Sequence, residues 1–337
     1  MIDILSITQT INLHQLILID TEEYKQGSDR VYCPFCQPGG KAKSNSPAMK
    51  IKDGRFYCYG CAEHGDAIDY IMKRNNVDFI TACRELGWNG TPADRIELQK
   101  KQAEHEAKRL EAQRKHEQEV DKVLATLQTE DIIAGLHRRL TDDHRAWWEK
   151  RGVPREWQDH LRLGYVPNKS YYGHDGQLYT STAYSIPYFH ENFTLKTIQY
   201  RLDNPQRPQD RYRFENGLPS SWYLTEPQLP LQERVVICEG AIKSIVTRCY
   251  GIEDETISVI AVPAKSVWCG VEDAVKHCSV VWVILDPDGT AKAIELAKRI
   301  GKTARVVELP DKVDDALMGG MMHTDLANYM RYSRKVV

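Results

Sequence analysis

The chain has 337 residues, of which 42% are hydrophobic and 9% aromatic, and its formal net charge is −2. This length suffices for two or three domains with hydrophobic cores, and the near-neutral charge excludes a uniformly basic nucleic-acid-coating protein while leaving room for a local basic patch. No apolar run approaches the roughly 20 residues that span a bilayer. The first residues show no basic-then-apolar secretory pattern, so we expect a cytoplasmic protein without membrane contact.

Four of the nine cysteines form two close pairs, CPFC at 33–36 and CYGC at 58–61, with the spacing C-x2-C-x21-C-x2-C. Two thiolate pairs at this spacing predict a tetrahedral structural zinc site, because four sulfurs leave no open position for catalysis. Four reduced cysteines without metal are the alternative. The predicted zinc ligands are Cys33, Cys36, Cys58 and Cys61.

The segment KIKDGRFYC at 50–58 predicts a β-hairpin between the cysteine pairs, with Asp53-Gly54 at its turn. Its basic residues Lys50, Lys52 and Arg55 alternate with apolar and aromatic residues. A surface of this kind is compatible with stacking against single-stranded nucleic acid and equally with an ordinary solvated hairpin face.

Residues 93–128 contain no glycine and no proline and are dominated by glutamate, lysine, arginine, glutamine and alanine. These residues favour a helix, and apolar positions are too few for a coiled-coil seam. We therefore predict a charged helical linker over 91–130. A nucleic-acid-binding helix is the alternative, but acidic residues match the basic ones.

From residue 131 onward the pattern mixes helices and strands. Residues 131–163 are typical of helices, and 182–224 alternate as strands do. After 234, short apolar strands alternate with helices, which predicts a parallel sheet covered on both faces. The whole chain is thus predicted to be a multidomain α+β protein with a small zinc-ribbon-like N-terminal domain and a C-terminal α/β domain.

Acidic residues follow two of these predicted strands. Asp286 and Asp288 stand in DPDG, and Glu239 precedes Gly240 after RVVIC. A plain turn explains DPDG alone, since Asp-Pro and Asp-Gly favour turns. If the two strands are neighbours, however, three carboxylates meet at one sheet edge and repel one another unless a cation screens them. The second interpretation predicts a Mg²⁺ or Mn²⁺ site.

VVICEGAIKSI at 235–245 and WVILDPDGTAKA at 282–293 resemble the Toprim domain of bacterial-type DNA primases, topoisomerases and some nucleases. The cysteine block, continued by FYCYGCAEHGDAIDYIM, resembles the zinc-binding domain of bacterial and phage primases, although its first pair is Cys-Cys where many members have Cys-His. WWEKRGVPREWQDHLRLGYVP at 147–167 resembles the start of the primase catalytic core. The resemblance implies a zinc-binding domain at 1–90, the N-terminal part of the core at 131–233 and a Toprim domain at 234–337.

The resemblance further implies an enzyme that makes RNA primers on single-stranded DNA from nucleoside triphosphates, with structural Zn²⁺ and catalytic Mg²⁺ or Mn²⁺. It implies that Glu239, Asp286 and Asp288 bind the catalytic metal and that Asp314, with Asp315 as the alternative, is a further acid. It also implies that Arg201 and the Arg211-Tyr212 pair, with Arg213 as a neighbour, lie in the groove that holds template and nucleotide. The basic residues of 196–213 are expected to line that groove as a strip; they are Lys196, Arg201, Arg207, Arg211 and Arg213.

Two features depart from the family pattern. Lys243 stands where primases usually carry an acid, so it either assists phosphate binding or marks altered chemistry, and VPAKSVW at 262–268 replaces a Gly- and Thr-rich turn. No helicase-binding domain or helicase motor is recognised, which leads us to expect a phage or mobile-element primase with a separate helicase. The competing hypotheses are a Toprim nuclease and a non-catalytic replication regulator that binds single-stranded DNA.

Overall fold

The computed structural model describes residues 11–21, 28–38, 47–88, 95–129, 131–173 and 175–336. The chain forms two compact units, Met1–Asp121 and Lys122–Val337. Two predicted domain boundaries, after residues 90 and 130, fall outside the described residues.

The N-terminal unit contains a small antiparallel sheet in the order β1-β2-β3-β4. Its strands are β1 Arg30–Val31, β2 Met49–Lys52, β3 Arg55–Cys58 and β4 His64–Gly65. The predicted β2–β3 hairpin is confirmed: Lys52 pairs with Arg55, and Asp53 and Gly54 between them both have positive φ angles, 50° and 70°, as a two-residue primed turn requires.

Three short helices pack against this sheet around one buried cluster of aliphatic and aromatic side chains. They are α1 Leu13–Leu18, α2 Ala67–Asn75 and α3 Phe79–Glu85. Asp66 begins α2 as its N-cap, and its side chain and that of Asp69 form a reciprocal capping box. The charged segment then forms one helix of 35 residues, α4 Arg95–Thr129, whose middle is largely exposed.

The second unit begins with three helices, α5 Ile132–Arg138, α6 Asp142–Glu149 and α7 Arg155–His160. An antiparallel sheet follows in the order β5-β6-β7-β8. Its strands are β5 Gly164–Tyr172, β6 Leu178–Phe189, β7 Leu195–Leu202 and β8 Tyr212–Phe214. One face of this sheet shares a core with the C-terminal part of the unit, through Tyr184, Ile186 and Tyr188.

The C-terminal sheet has six strands in the order β14-β13-β12-β10-β11-β9, parallel among the four central strands and antiparallel at both edges. The strands are β9 Tyr223–Leu224, β10 Arg234–Glu239, β11 Ile257–Val262, β12 Val280–Ile284, β13 Ala304–Val306 and β14 Arg334–Lys335. The accompanying helices are α8 Ala241–Val246, α9 Val271–Ala274, α10 Thr290–Ile300, α11 Val313–Met318 and α12 His323–Arg331.

Both faces of this sheet are buried. Along β10, Val236 and Cys238 belong to one hydrophobic core, and Val235 and Ile237 belong to another on the opposite face. This alternation follows from the period of two in a strand, and it explains why the sequence reads as continuous apolar runs. The prediction of a parallel sheet covered on both sides is confirmed.

Among the described residues, no helix is long and apolar enough to cross a membrane.

Candidate functional site

The four cysteines of the two pairs converge in the N-terminal unit. Their sulfur atoms all lie within 4.8 Å of one another; Cys33 Sγ is 3.8 Å from Cys61 Sγ, and Cys36 Sγ is 3.5 Å from Cys58 Sγ. A tetrahedral zinc ion with Zn–S bonds of about 2.3 Å needs sulfurs about 3.8 Å apart, so the cluster fits zinc. The predicted structural zinc site is confirmed.

Local hydrogen bonds fix the two cysteine-bearing turns. The Gln37 side chain accepts hydrogen bonds from the backbone amides of Cys33 and Ala48, and Gly60 N–H donates to Cys58 Sγ. A Cβ atom at Gly60 would lie 3.1 Å from Cys36 Sγ, so glycine permits the sulfurs to approach.

One face of the small sheet carries a row of basic and aromatic side chains. The strand register places Arg30, Lys50, Tyr57 and His64 side by side across the four strands. Tyr59 beside them is 55% exposed. The face therefore combines positive charge with an aromatic ring open to solvent. Proteins that bind single-stranded nucleic acid use these two features to contact its phosphates and to stack on its bases.

The acids of the C-terminal sheet come together because β10 and β12 are adjacent parallel strands. Glu239 ends β10, and Asp286 follows β12 at the same carboxyl edge. Asp286 and Asp288 flank the start of a 3-10 turn, Pro287–Gly289, that leads into α10. DPDG is thus both a turn and the place where two carboxylates reach the sheet edge.

Two lysines neutralise the aspartates. Lys243 Nζ donates to Asp286 Oδ1 at 2.5 Å, and Lys265 Nζ donates to Asp288 Oδ2 at 2.5 Å. Lys243 stands in the first turn of α8, and Lys265 stands in the turn after β11. The sequence indicated that these acids require a cation nearby, and in the structure ammonium groups take that place.

The remaining acids are left with buried oxygens that have no hydrogen-bond partner among the described residues. These are Glu239 Oε2 and Asp314 Oδ1. Asp314 lies in the first turn of α11 and is half-buried beside Lys243, whereas Asp315 is exposed. Within the part of the chain that the structure describes, no three of the four carboxylates bring ligand oxygens within 4.8 Å of one another.

The electrostatics of this edge reflect burial and the lysines. Burial and then the Asp286 charge raise the pKa of Glu239, and burial raises the pKa of Asp314. Burial alone would lower the pKa of Lys243, but its hydrogen bond to Asp286 and the surrounding acids raise it. The hydrogen bond from Lys265 lowers the pKa of Asp288. Burial therefore favours the protonated forms of Glu239 and Asp314, whereas the neighbouring acids favour the charged form of Lys243.

The predicted basic strip is divided between the two faces of its sheet. Arg201 pairs across strands with Tyr212, while Arg213 pairs with Tyr200 and so points to the opposite face. Arg213 and Arg207 both bind the buried carboxylate of Asp210.

Arg201 belongs instead to a cluster of aromatic rings. Its guanidinium lies 4.7 Å from the centre of the Trp147 ring, which stacks on Tyr184 at 3.6 Å, and Arg151 lies 3.4 Å from the same Trp147 ring. Arg211 and Tyr212 are exposed. This face therefore brings together Arg201, Tyr212 and an aromatic platform that the sequence did not single out.

Lys196 lies at the β-bulge of β7, between Leu195 and Thr197, which pair with Phe189 and Tyr188. Its Nζ lies 3.6 Å from the centre of the Trp222 ring, and burial lowers its pKa to about 8.

Sequence reasoning missed Lys265 and Trp147. Lys265 lies in the segment 262–268 that departs from the expected Gly- and Thr-rich turn, so that departure was the available indication. Trp147 offered no such indication, because only the fold brings α6 against β6 and β7.

A family model described as the CHC2 zinc finger matches residues 2–106. The chain is 27% identical to the DNA primase of Streptomyces coelicolor over 141 residues, which is 42% of this chain and 20% of that protein. It is 27% identical to the DNA primase of Neisseria meningitidis over 190 residues, which is 56% of this chain and 28% of that protein. The chain thus spans under a third of the length of these relatives.

Among solved structures, the DnaG catalytic core aligns with a TM-score of 0.51 at 15% identity, over 63% of this chain and 81% of that chain. The RNA polymerase domain of Mycobacterium tuberculosis primase DnaG aligns with a TM-score of 0.50 at 13% identity, over 64% and 84%. These similarities confirm the predicted resemblance to bacterial-type DNA primases with a zinc-binding domain, and they confirm the fold class.

Proposed function

We propose that this chain is a DNA primase that synthesises short RNA primers on single-stranded DNA from nucleoside triphosphates. The observation that most directly supports this proposal is the set of four carboxylates at the carboxyl edge of a parallel sheet. The same chain also contains a four-cysteine zinc site. Its sequence similarity to bacterial DNA primases supports the same activity.

Glu239, Asp286 and Asp288 would hold Mg²⁺ or Mn²⁺, with Asp314 as a further acid. Carboxylate oxygens are the ligands these cations prefer, and the partnerless buried oxygens of Glu239 and Asp314 are suited to a cation. When bound, the metal neutralises triphosphate charge and lowers the pKa of the attacking hydroxyl.

The protein's own groups would position the substrates. The primer 3′-hydroxyl would lose its proton to solvent, and its oxygen would form a bond to the α-phosphorus of the incoming nucleotide. The bond between the α-phosphorus and the oxygen that bridges to the β-phosphate would break, and pyrophosphate would leave. Lys243 and Lys265 lie at this edge as phosphate-binding cations. Arg201, Arg211 and Tyr212 would hold the template by phosphate contact and stacking, whereas Arg213 faces the other side of the sheet and binds Asp210.

We assign the four segments of the chain accordingly: template recognition to 1–90, a connecting helix to 91–130, and the catalytic core to 131–233 and 234–337. A primase of this kind works with single-stranded DNA, nucleoside triphosphates and a helicase on a separate chain, in the cytoplasm where replication occurs. A phage or mobile-element origin stays a prediction from the sequence.

A primer-synthesis assay tests the proposal. Single-stranded templates of varied sequence, labelled ribonucleoside triphosphates and Mg²⁺ or Mn²⁺ are incubated with the full chain, and products are sized on a gel. We expect template-dependent oligoribonucleotides from the wild type and none from Asp286→Asn or Asp288→Asn, because each variant loses a charged ligand.

Other products would identify the competing functions. Shortened template without added nucleotides would indicate a nuclease, and template binding without either reaction would indicate a non-catalytic regulator. Products of equal yield from the wild type and both Asn variants would show that the carboxylate edge is not the catalytic site.

A further inference from the structure

The carboxylate edge contains its own cations. Lys243 and Lys265 each bind one oxygen of the DPDG aspartates, from two different segments that flank the edge. The Lys265 turn is held by a backbone bridge between Ala264 and Val267 and by the Trp268 indole, which donates to the Lys265 carbonyl. The fold therefore aims both ammonium groups at the acids.

These ion pairs compete with a divalent cation. An oxygen that accepts a hydrogen bond from an ammonium group at 2.5 Å does not at the same time bind Mg²⁺ at about 2.1 Å without placing two cations side by side. One oxygen of Asp286 and one oxygen of Asp288 are thus occupied by ammonium groups in this structure. Glu239 Oε2 and Asp314 Oδ1, in contrast, have no hydrogen-bond partner within the described residues.

The two pairs differ in how easily they open. Lys243 and Asp286 are 17% and 13% exposed, and Lys243 is anchored in a helix. Lys265 and Asp288 are 31% and 72% exposed, and Lys265 lies in a turn. Because solvent-exposed pairs are weak, the Lys265 pair opens at lower cost.

We propose that Lys243 and Lys265 are exchangeable counter-ions that couple metal entry to nucleotide binding. In the free protein they neutralise Asp286 and Asp288. When a nucleoside triphosphate arrives, the ammonium groups transfer to its phosphate oxygens, and the aspartates become available to Mg²⁺ or Mn²⁺. The long flexible lysine side chain permits this movement, and the triphosphate offers more negative charge than one carboxylate. The inference rests on the proposed nucleotide substrate.

Mn²⁺ binding to the full-length, zinc-loaded protein tests this coupling. Free Mn²⁺ is measured by electron paramagnetic resonance, without nucleotide and with a non-hydrolysable nucleoside triphosphate analogue. The Asp286→Asn/Asp288→Asn double variant gives the background from other sites. The variants compared are Lys265→Gln, Lys243→Gln and, as a matched control at an exposed position of the same unit, Lys276→Gln.

Without nucleotide, we expect Lys265→Gln and Lys243→Gln to bind Mn²⁺ at least about fivefold more tightly than the wild type, the lower range of typical site-to-site coupling. The analogue should increase Mn²⁺ affinity more in the wild type than in either variant, beyond what Mn²⁺ binding to the analogue alone accounts for. Lys276→Gln should behave as the wild type. Lys265→Gln remains informative if the half-buried Lys243 variant fails to fold.

Equal nucleotide-free Mn²⁺ affinity in the wild type and folded Lys265→Gln would overturn the inference. The inference would also be overturned if the analogue increased the Mn²⁺ affinity of the wild type and of Lys265→Gln by the same factor. Primer synthesis is scored separately: a wild type that shows the coupling yet makes no primers would refute the proposed activity while retaining the counter-ion role. Primer synthesis by a wild type that shows no coupling would support the proposed activity and refute the counter-ion role.

Discussion

Asp286 and Asp288 are two residues apart, yet their surroundings differ. Asp286 is 13% exposed and partners the half-buried Lys243, whereas Asp288 is 72% exposed. Removing the Asp286 charge leaves the half-buried ammonium group of Lys243 without its charged partner. Removing the Asp288 charge leaves the ammonium group of Lys265 to be hydrated by water.

We therefore predict that Asp286→Asn lowers the free energy of unfolding by about 1 to 2 kcal/mol without metal, while Asp288→Asn changes it by less than about 0.5 kcal/mol. Chemical denaturation in a chelator that spares the zinc site measures both. Equal effects of the two substitutions would mean that the Lys243 pair contributes no more than the exposed pair.

Arg201 and Arg213 make a second contrast at this scale. Arg201 shares a sheet face with Tyr212 and Trp147, whereas Arg213 points the other way and binds Asp210, which is 3% exposed. Only the first arginine is suited to touch a template on the aromatic face.

We predict that Arg201→Ala weakens single-stranded DNA binding and reduces the slope of log affinity against log salt by about 1. Arg211→Ala, at an exposed position in the connection between β7 and β8, should act in the same direction. Arg213→Ala should mainly lower thermal stability, because it removes a partner of a buried carboxylate. Fluorescence anisotropy at several salt concentrations separates these outcomes, and an unchanged slope in Arg201→Ala would contradict the assignment.

At the scale of elements, His105 of the helix α4 contacts the capping box at the start of α2. His105 Nε2 lies 3.0 Å from Asp66 Oδ2 and 3.7 Å from Asp69 Oδ2. The hydrogen bond to Asp66 raises the pKa of His105 above 6.5, with burial and Arg55 opposing. Burial would raise the pKa of Asp66, but His105 holds it below 3.8. Burial raises the pKa of Asp69, with His105 and Arg109 opposing.

The signs of these shifts give a pH window. Because folding raises the pKa of His105, the protonated side chain stabilises the fold. This stabilisation is fully present below pH 6.5 and is lost as the pH rises through the pKa of His105 in the folded protein. A lowered Asp66 pKa stabilises the fold above 3.8, and the stabilisation is lost as pH falls through its folded value.

We predict that amide exchange in the first half of α4 is slowest, relative to His105→Gln, between about pH 4 and 6.5. Above that range the difference should shrink as His105 loses its proton. His277→Gln, an exposed histidine in the other unit, serves as the control. A difference between wild type and His105→Gln that does not vary with pH would show that the contact is not an ion pair.

At the scale of the whole molecule, the two units depend on different sources of stability. Among the described residues, the second unit has three hydrophobic clusters, whereas the first has one, which includes the cysteines Cys33 and Cys58. A domain of this size gains much of its stability from zinc, since the binding free energy contributes to folding.

We predict that Cys58→Ser unfolds the N-terminal unit and leaves the thermal transition of the second unit in place. Calorimetry and limited proteolysis measure the two units separately, and metal analysis should find well under one zinc per chain. Cys83→Ser, at a buried cysteine outside the sulfur cluster, should keep its zinc. If the wild type unfolds in a single transition and Cys58→Ser shows no transition, the two units do not fold independently.

The sequence by itself determined the features that local geometry dictates. The paired cysteines, the Asp53-Gly54 hairpin and the apolar strands of the C-terminal sheet all depend on spacing and on the period of a strand, and these are properties of short stretches. The positions of Glu239 and Asp286 at strand ends also follow from such stretches.

Only the tertiary structure decided which distant side chains meet. The adjacency of β10 and β12 brings Glu239 beside Asp286, and the return of two other segments aims Lys243 and Lys265 at the aspartates. Pleating placed Arg201 and Arg213 on opposite faces, although both looked like members of one basic strip. Such pairings depend on strand order and packing between segments far apart in the chain, which no local spacing encodes.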